Sequence, residues 1–232
     1  MPEFALIGYP VSHSRSPELF RKAYGGKWNY NLVETQDFEQ AWKEFLDRYA
    51  AINVTSPFKE SACRRADILS PECLRTRVAN IAVKTADGIV AYNSDYRGLL
   101  SILSKVPVTS GTAAVIGYGG AGKAAQAAAA DCGFDVKVYH HDEVGQGVTA
   151  DLIIYTLPSA VEGIDKFRCN CLIEANYRNP SFCEGMVDGL NGGKARYVSG
   201  KDWLLAQAQC GYELMTGEKS DDVFSLLEVL DA

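Results

Sequence analysis

The sequence predicts an α/β protein whose sheets are mostly parallel, and two observations carry that prediction. Short apolar runs of strand length alternate with stretches of helical spacing along the whole chain. A glycine-rich turn at residues 117–122 also lies directly between an apolar strand and an Ala-rich helix. The composition changes near residues 95–110, which indicates two lobes.

The first lobe is predicted to begin with alternating strands and helices. Ser16 is expected at the N-cap of its first helix and Pro17 at the first helical position. Phe38, Trp42 and Phe45 recur at helical spacing and predict the next helix. The predicted strands are 4–8, 30–34 and 51–54, and the predicted helices are 16–25, 37–49 and approximately 59–68.

Two β-type runs then follow in "NIAVKTADGIVAYNSD", and Asp87-Gly88 between them predicts a hairpin. A linking helix is expected over 96–106, and the glycine turn opens the second lobe. The remaining predicted elements are strands at 151–156 and 171–175 and helices near 200–216 and 220–230.

Composition excludes several classes of protein. The chain has 232 residues, 47% of them hydrophobic, and a formal net charge of −6. Proteins that bind nucleic acid usually carry a basic patch, and an acidic chain is not typical of them. No apolar run approaches the ~20 residues that span a bilayer, and the first residues do not resemble a secretory signal. We therefore expect a cytoplasmic protein that contacts neither nucleic acid nor membrane.

The seven cysteines are an odd number and include no CxxC pair, while only three histidines are present. This pattern favours reduced thiols in a cytosol over a disulfide framework. No metal site is predicted.

The glycine turn "VIGYGGAGKAA" has the spacing of a dinucleotide-binding loop. Gly117 would allow the tight turn, Gly119 would let the backbone approach a pyrophosphate, and Gly122 would permit close packing of helix on strand. Gly120 and Ala121 complete the candidate cofactor-binding set. The simpler alternative is a turn that only connects strand to helix.

The stretch after this turn departs from the usual nucleotide-binding unit. Residues 142–150 alone join one predicted strand to the next, whereas a crossover with its helix needs at least ~10–12 residues. We predict that one helix–strand unit is missing, and that cofactor affinity is lower than in a full-length relative. His140 and His141 end the preceding strand, and Asp142 follows, in position to accept from a ribose hydroxyl.

Small polar residues cluster at the predicted strand ends of the first lobe. The carboxyl ends of strands in an open α/β sheet converge on a crevice where ligands bind. Ser14 and Ser16 suit a carboxylate, while Thr55, Asn80 and Asp95 suit sugar-like hydroxyls. Each has a simpler alternative: Ser16 and Asp95 could cap helices, and Asn80 could satisfy hairpin backbone. Lys59 could be an ordinary exposed lysine.

These stretches together resemble the shikimate dehydrogenase family. An N-terminal G-x-P-x-x-H-S-x-S-P pattern runs from Gly8 to Pro17, and N-V-T-x-P-x-K is met in full by Asn53 to Lys59. Later family segments are met by Ala79-Asn80, by Asn93 and Asp95, and by Gly200, Leu204, Gln207 and Ala208.

The resemblance implies reversible oxidation of shikimate to 3-dehydroshikimate with NADP. It implies a substrate domain of residues 1–97 completed by 200–232, whose C-terminal helices return to it, and a truncated Rossmann-like NAD(P)-binding domain of residues 98–199. We expect a monomer or homodimer. Ser14 and Ser16 would hold the substrate carboxylate. The ring hydroxyls would contact Thr55, Asn80, Asp95 and Gln207, and Lys59 beside Asp95 would be the acid/base group.

Four departures from the family pattern bear on the site. His140, His141 and Asp142 stand where relatives carry Asn-Arg-Thr, so NAD is a possible cofactor beside NADP. Ile81 replaces a threonine, and Trp203 replaces a methionine near the nicotinamide. The family's Tyr-Asn-Pro appears as Tyr177-Arg178-Asn179-Pro180, with one extra residue, and Tyr177 is a candidate substrate contact. The alternatives are an NAD-preferring quinate/shikimate dehydrogenase and a non-catalytic binding relative.

Overall fold

The computed structural model describes residues 1–220. The helix predicted near 220–230 lies outside the described residues, apart from residue 220. The chain divides into two compact units. The first contains Met1–Ser94 together with the chain from Gln207 onward, and the second contains Asp95–Ala206.

The first unit is built on a six-stranded sheet with the order β2-β1-β3-β5-β6-β4. β1, β2 and β3 are parallel, and β5 is antiparallel to both β3 and β6. The carboxyl ends of β1, β3 and β6 therefore share one edge of the sheet with the start of β5. The strands are β1 Glu3–Gly8, β2 Asn29–Glu34, β3 Ala51–Val54, β4 Ile68–Leu69, β5 Ile81–Thr85 and β6 Gly88–Tyr92.

The helices of this unit follow local sequence signals. In α2 (Phe38–Arg48), Asp37 accepts hydrogen bonds from the backbone of Glu39 and Gln40, and the face carrying Trp42 and Phe45 is buried. This is the pattern that predicted the helix, since an N-cap oxygen satisfies free N–H groups and an apolar stripe packs on the sheet. The other helices are α1 Ser16–Ala23, α3 Lys59–Arg65 and α4 Pro71–Thr76.

The N-cap assignment of Ser16 was wrong. Helix α1 begins at Ser16 itself, and Arg15 precedes it as the N-cap without a side-chain cap bond. The backbone N–H of Ser16 instead donates to Ser14 Oγ at 3.2 Å. The Ser14 hydroxyl therefore supplies the acceptor for a free N–H at the start of α1, which is the role that was expected of Ser16.

The second unit is built on a five-stranded sheet with the order β11-β10-β9-β7-β8, and every pair in it is parallel. The strands are β7 Gly111–Ile116, β8 Phe134–Tyr139, β9 Leu152–Tyr155, β10 Cys171–Glu174 and β11 Arg196–Val198. The helices are α5 Ser94–Leu103, α6 Gly120–Asp131, α7 Glu184–Gly189 and α8 Gly200–Thr216, of which α5 and α8 cross the boundary between the units.

The predicted loss of one helix–strand unit is confirmed. Between β8 and β9 the chain forms only a 3₁₀ turn at His141–Glu143. The β9–β10 connection is also reduced, to a 3₁₀ turn at Ile164–Lys166, which the sequence had not indicated. The predicted fold class, an α/β chain with a truncated Rossmann-like sheet, is confirmed.

Within residues 1–220, no helix combines the length and the apolar character that crossing a bilayer requires. All seven cysteines lie in this part of the chain and are free thiols.

Candidate functional site

Three polar side chains are joined in the first unit. Asn80 directly precedes β5, Ser94 follows β6 at the start of α5, and Gln207 lies on α8. The Asn80 amide donates to Ser94 Oγ at 3.0 Å, and its oxygen accepts from Ser94 N at 2.7 Å. Ser94 Oγ in turn donates to Gln207 Oε1 at 2.9 Å. The structure therefore brings two predicted substrate residues, Asn80 and Gln207, onto one buried serine.

The same polar line continues across the edge of the sheet toward α1. Asn53 Nδ2 donates to the Asn80 carbonyl at 3.4 Å, and Tyr30 Oη donates to Asn53 Oδ1 at 2.7 Å. Burial raises the pKa of Tyr30 well above its usual range, and Tyr212 raises it further, while a hydrogen bond with the Ser16 side chain opposes the shift. A line of hydrogen bonds therefore runs from Ser16 to Gln207 within this unit, through the side chains and, at Asn80, also the backbone carbonyl.

The two predicted carboxylate-binding serines lie together at the start of α1. Ser14 Oγ donates to Ser16 Oγ at 3.1 Å. Glu34, at the end of β2, holds the preceding loop because its carboxylate accepts from the backbone N–H of Val11 and of Ser12, each at 2.6 Å. These two bonds lower the pKa of Glu34, and the bond from Ser12 has the larger effect. Hydroxyl groups beside a helix N-terminus suit an anion such as a carboxylate.

Thr55 and Lys59 follow β3 on either side of a tight turn. The N–H of Thr55 donates to the carbonyl of Ile7 at 2.9 Å, and that of Phe58 donates to Thr55 O at 2.9 Å. Lys59 is the first residue of α3 and is half-buried, and its carbonyl accepts from Ala79 N at 3.0 Å. The lysine predicted as the acid/base group therefore begins a helix that is tied to the segment carrying Asn80.

Asp95 is the first residue of the second unit and lies in the first turn of α5. Its carbonyl accepts from Trp203 Nε1 at 3.0 Å, and Trp203 is almost completely buried. The tryptophan that departs from the family pattern thus ties α8 to the turn that presents Asp95.

The glycine turn has the close approach that its spacing predicted. Gly117 has φ +114°, a backbone conformation that favours glycine. A Cβ on Gly122 would lie 2.1 Å from the carbonyl oxygen of Gly117, whereas a Cβ on Gly119 would meet nothing within 4 Å. β7 is flanked by β8 and β9, so this turn opens at the switch point of the sheet, beside the free N–H groups of α6. A dinucleotide pyrophosphate fits such a cradle.

An aromatic pair lies beside this turn. The Tyr118 and His140 rings are stacked with centroids 3.9 Å apart. His140 N donates to Glu143 Oε2 at 2.5 Å, and the His140 side chain accepts from the Glu143 backbone. These bonds form a capping box that holds the 3₁₀ turn after β8. His140, His141 and Asp142 are all exposed.

Comparison with known proteins relates part of the first unit to a known family. Residues 6–82 match the family model described as the shikimate dehydrogenase substrate binding domain. The predicted resemblance to shikimate dehydrogenases is confirmed. A shikimate dehydrogenase (NADP(+)) of Thermus thermophilus is 31% identical over 147 residues, which is 60% of this chain and 56% of that protein. Its counterpart from Glaesserella parasuis is 36% identical over 132 residues, 53% and 48% of the two chains.

The matched stretches thus span about half the length of these curated relatives. Solved shikimate dehydrogenases share the fold over the whole chain. A Thermus thermophilus shikimate 5-dehydrogenase in complex with shikimate has a TM-score of 0.84 at 24% identity, with both chains covered completely. The Mycobacterium tuberculosis shikimate dehydrogenase has a TM-score of 0.79, also at 24% identity and complete coverage.

Sequence reasoning missed Tyr30, Glu34 and Ser94, although each contacts a predicted site residue or its loop. Glu34 is the acidic end of a predicted strand, which is a weak signal for a ligand-facing edge. Ser94 lies within the quoted "YNSDYRG". Its role depends on a helix more than a hundred residues later, and no local pattern contains that information.

Proposed function

We propose that this chain is a shikimate dehydrogenase that catalyses the reversible NADPH-dependent reduction of 3-dehydroshikimate to shikimate in aromatic amino acid (chorismate) biosynthesis. The observation that carries the proposal is the polar line from Ser16 to Gln207. Its part from Ser16 to Asn80 falls within residues 6–82, which match the substrate binding domain. Neutral donors and acceptors in a row suit a ligand with several hydroxyl groups.

The proposed roles follow that line. Ser14 and Ser16 hold the substrate carboxylate, and Thr55, Asn80 and Gln207 bind the ring hydroxyls. Ser94 orients Asn80 and Gln207 through its three hydrogen bonds to them. Lys59 and Asp95 move the proton of the reacting hydroxyl. Residues 1–97, completed by 200–232, form the substrate domain.

Residues 98–199 form the proposed cofactor-binding domain. The proposed cofactor is NADP, and NAD is a possible substitute. Gly117, Gly119, Gly120, Ala121 and Gly122 would hold the pyrophosphate, because their turn leaves room for it beside the N-terminus of α6. When bound, the nicotinamide accepts or donates the hydride. We further propose a cytoplasmic monomer or homodimer that contacts neither nucleic acid nor membrane.

A direct assay tests this function. The purified chain is mixed with shikimate and either NADP or NAD, and the absorbance of the reduced nicotinamide is followed. We expect turnover with shikimate. Faster turnover with quinate and NAD would instead support the quinate/shikimate dehydrogenase alternative. Binding of shikimate without turnover in the presence of either cofactor would support the non-catalytic relative.

We predict that discrimination between NADP and NAD is weak. Positions 140–143 carry no Arg or Lys, and a 2′-phosphate is normally selected by such a cation. Glu143 instead adds an exposed carboxylate to this stretch. The ratio of kcat/KM for NADP over NAD should therefore stay below about 10³, equivalent to ~4 kcal/mol. His140→Arg should raise that ratio, with Lys137→Arg as the control. A native ratio above that bound would require another source of positive charge.

A further inference from the structure

The sheet of the second unit ends at β8 (Phe134–Tyr139). No strand of residues 1–220 pairs with its outer edge, which is the edge opposite to β7. In a doubly wound sheet the corresponding strand usually lies between the first and the third strands. Here the chain passes from β8 through one 3₁₀ turn to β9, on the other side of β7. The loss of one helix–strand unit therefore makes β8 an edge strand.

The pairing with β7 shows which backbone groups lie on this outer edge. Gly117 N donates to Tyr139 O at 2.9 Å, so the backbone of Tyr139 faces β7. Successive residues of a strand point their N–H and C=O groups to opposite edges. The residues whose backbone groups face outward are therefore Phe134, Val136 and Val138. The carbonyl of Val138 also accepts from Tyr118 Oη, at 3.4 Å. Such a row of backbone donors and acceptors is a template for a further strand.

Two opposite charges lie along the same strand. Asp135 and Lys137 are both exposed and, being two residues apart, are on one face of the sheet. Lys137 Nζ lies 4.5 Å from the centroid of the Tyr139 ring on that face. Charged side chains often protect an edge strand from pairing. Whether these two do so depends on the charge that each one meets in a partner strand.

A second copy of β8 meets both charges with opposite ones when the two strands run antiparallel about a two-fold axis at Val136. Val136 then pairs with its own copy and Phe134 with Val138, which matches their outward N–H and C=O groups. Asp135 of each copy lies opposite Lys137 of the other, in the closer pairs without hydrogen bonds. A register shifted by two residues would place Asp135 against Asp135 or Lys137 against Lys137, and like charges directly opposite are destabilising.

We propose that the outer edge of β8 is the interface of a homodimer, in which β8 pairs antiparallel with β8 of a second copy. The interface is isologous, because the same residues meet across the two-fold axis. The sheets of the two second units then join into one continuous sheet. A single pair of strands is a small interface, so the dimer is weak and depends on concentration. The inference goes beyond the proposed function and does not rest on it, since no candidate site residue lies in β8.

The test is sedimentation velocity on the purified chain from ~1 to ~500 μM, the range in which a small interface dissociates. The parent should shift from monomer to dimer as the concentration rises. Asp135→Lys places like charges opposite each other twice, by symmetry, and should weaken the dimer about tenfold or more. The double variant Asp135→Lys/Lys137→Asp exchanges the two charges and should recover most of the parental affinity. Glu162→Lys is the matched control, because it changes the net charge equally at an exposed position outside β8, and it should leave the dimer unchanged.

Hydrogen exchange and a proline variant locate the interface. The outward N–H of Val136 should exchange more slowly as the concentration rises, whereas that of Lys137, which faces β7, should not change. Val136→Pro removes the outward N–H, and proline is tolerated on an edge strand where the N–H faces solvent. This variant should remain folded by circular dichroism and stay a monomer. Where it does not fold, the charge variants decide the question.

Three results would overturn the proposal. A parent that stays a monomer over the whole range would mean that the two charges keep the edge unpaired. A dimer that Asp135→Lys leaves unchanged would belong to another surface of the chain. A dimer that Asp135→Lys weakens and the double variant does not restore would contradict the pairing of Asp135 with Lys137. Each of these results leaves the proposed enzymatic function standing.

Discussion

Replacing Lys59 with alanine is expected to lower kcat by about 10²–10⁴, the range for general acid–base catalysis, with a smaller change in KM. Oxidation of an alcohol requires its proton to leave as the hydride departs, and the reverse reaction requires the proton back. Lys59 is half-buried at the first position of α3. Its effect should fall on the transition state, so kcat should fall more than binding.

Lys43 provides the matched control, because it is an exposed lysine in α2 of the same unit. Lys43→Ala should leave kcat unchanged. Circular dichroism and Tm should show that Lys59→Ala is folded. A Lys59→Ala variant with kcat within a few-fold of the parent would assign the lysine to the surface, and another proton carrier would be needed.

Asp95→Asn should lower kcat to a similar extent, and combining it with Lys59→Ala should add little. Two groups that move one proton act as a unit, so their effects are not additive. Trp203→Phe should have a smaller effect of the same kind, since it removes the indole N–H that donates to the Asp95 carbonyl. Steady-state kinetics of the single and double variants provide this comparison. Fully additive losses would contradict a shared role.

The second large effect is expected in the glycine turn, where two alanine substitutions should behave differently. The Cβ of Gly122→Ala would lie 2.1 Å from a backbone oxygen, so overpacking should cost about 1–3 kcal/mol of unfolding free energy. Gly119 has φ −68° and open space around it, so Gly119→Ala should cost less than about 1 kcal/mol as a changed N-cap.

Both variants should nevertheless bind the dinucleotide about tenfold or more weakly, because a lost backbone approach leaves phosphate hydrogen bonds unmade. Chemical denaturation measures the free energy of unfolding, and titration calorimetry with NADP measures the affinity for the dinucleotide. Gly145→Ala is the control, because its Cβ would also meet nothing within 4 Å. Unchanged NADP affinity in Gly119→Ala would mean that this turn only joins strand to helix.

Much of the fold followed from local signals, and the elements that were missed lack such signals. Asp37 and the stripe Trp42 to Phe45 specify α2 without help from the rest of the chain. By contrast, β4 is only two residues long and exists because it pairs with β6. Helix α7, "EGMVDG", has two glycines among its six residues, and glycine disfavours helices. Helix α4 and strand β11 are also short and were not predicted.

The site was predictable to the extent that its residues fall in dense motifs. "NVTSPFK" placed Asn53, Thr55 and Lys59 at one strand end, and the structure has them there. The role of Ser94 was not predictable, because it depends on β5 and β6 pairing and on α8 bringing Gln207 to it. For the same reason, no local pattern indicated that the buried Glu174 carboxylate in the second unit accepts hydrogen bonds from Ser181, Phe182 and Tyr197.

The proposed function requires that this chain transfers hydride between shikimate and a nicotinamide cofactor. The most direct measurement uses shikimate carrying deuterium at the carbon that is oxidised, with NADP and NAD in separate reactions, followed by mass analysis of the dinucleotide. We expect reduced dinucleotide that carries the deuterium, together with 3-dehydroshikimate in equal amount. Recovery of unreduced, unlabelled dinucleotide from both reactions, with folded protein that binds shikimate, would contradict it.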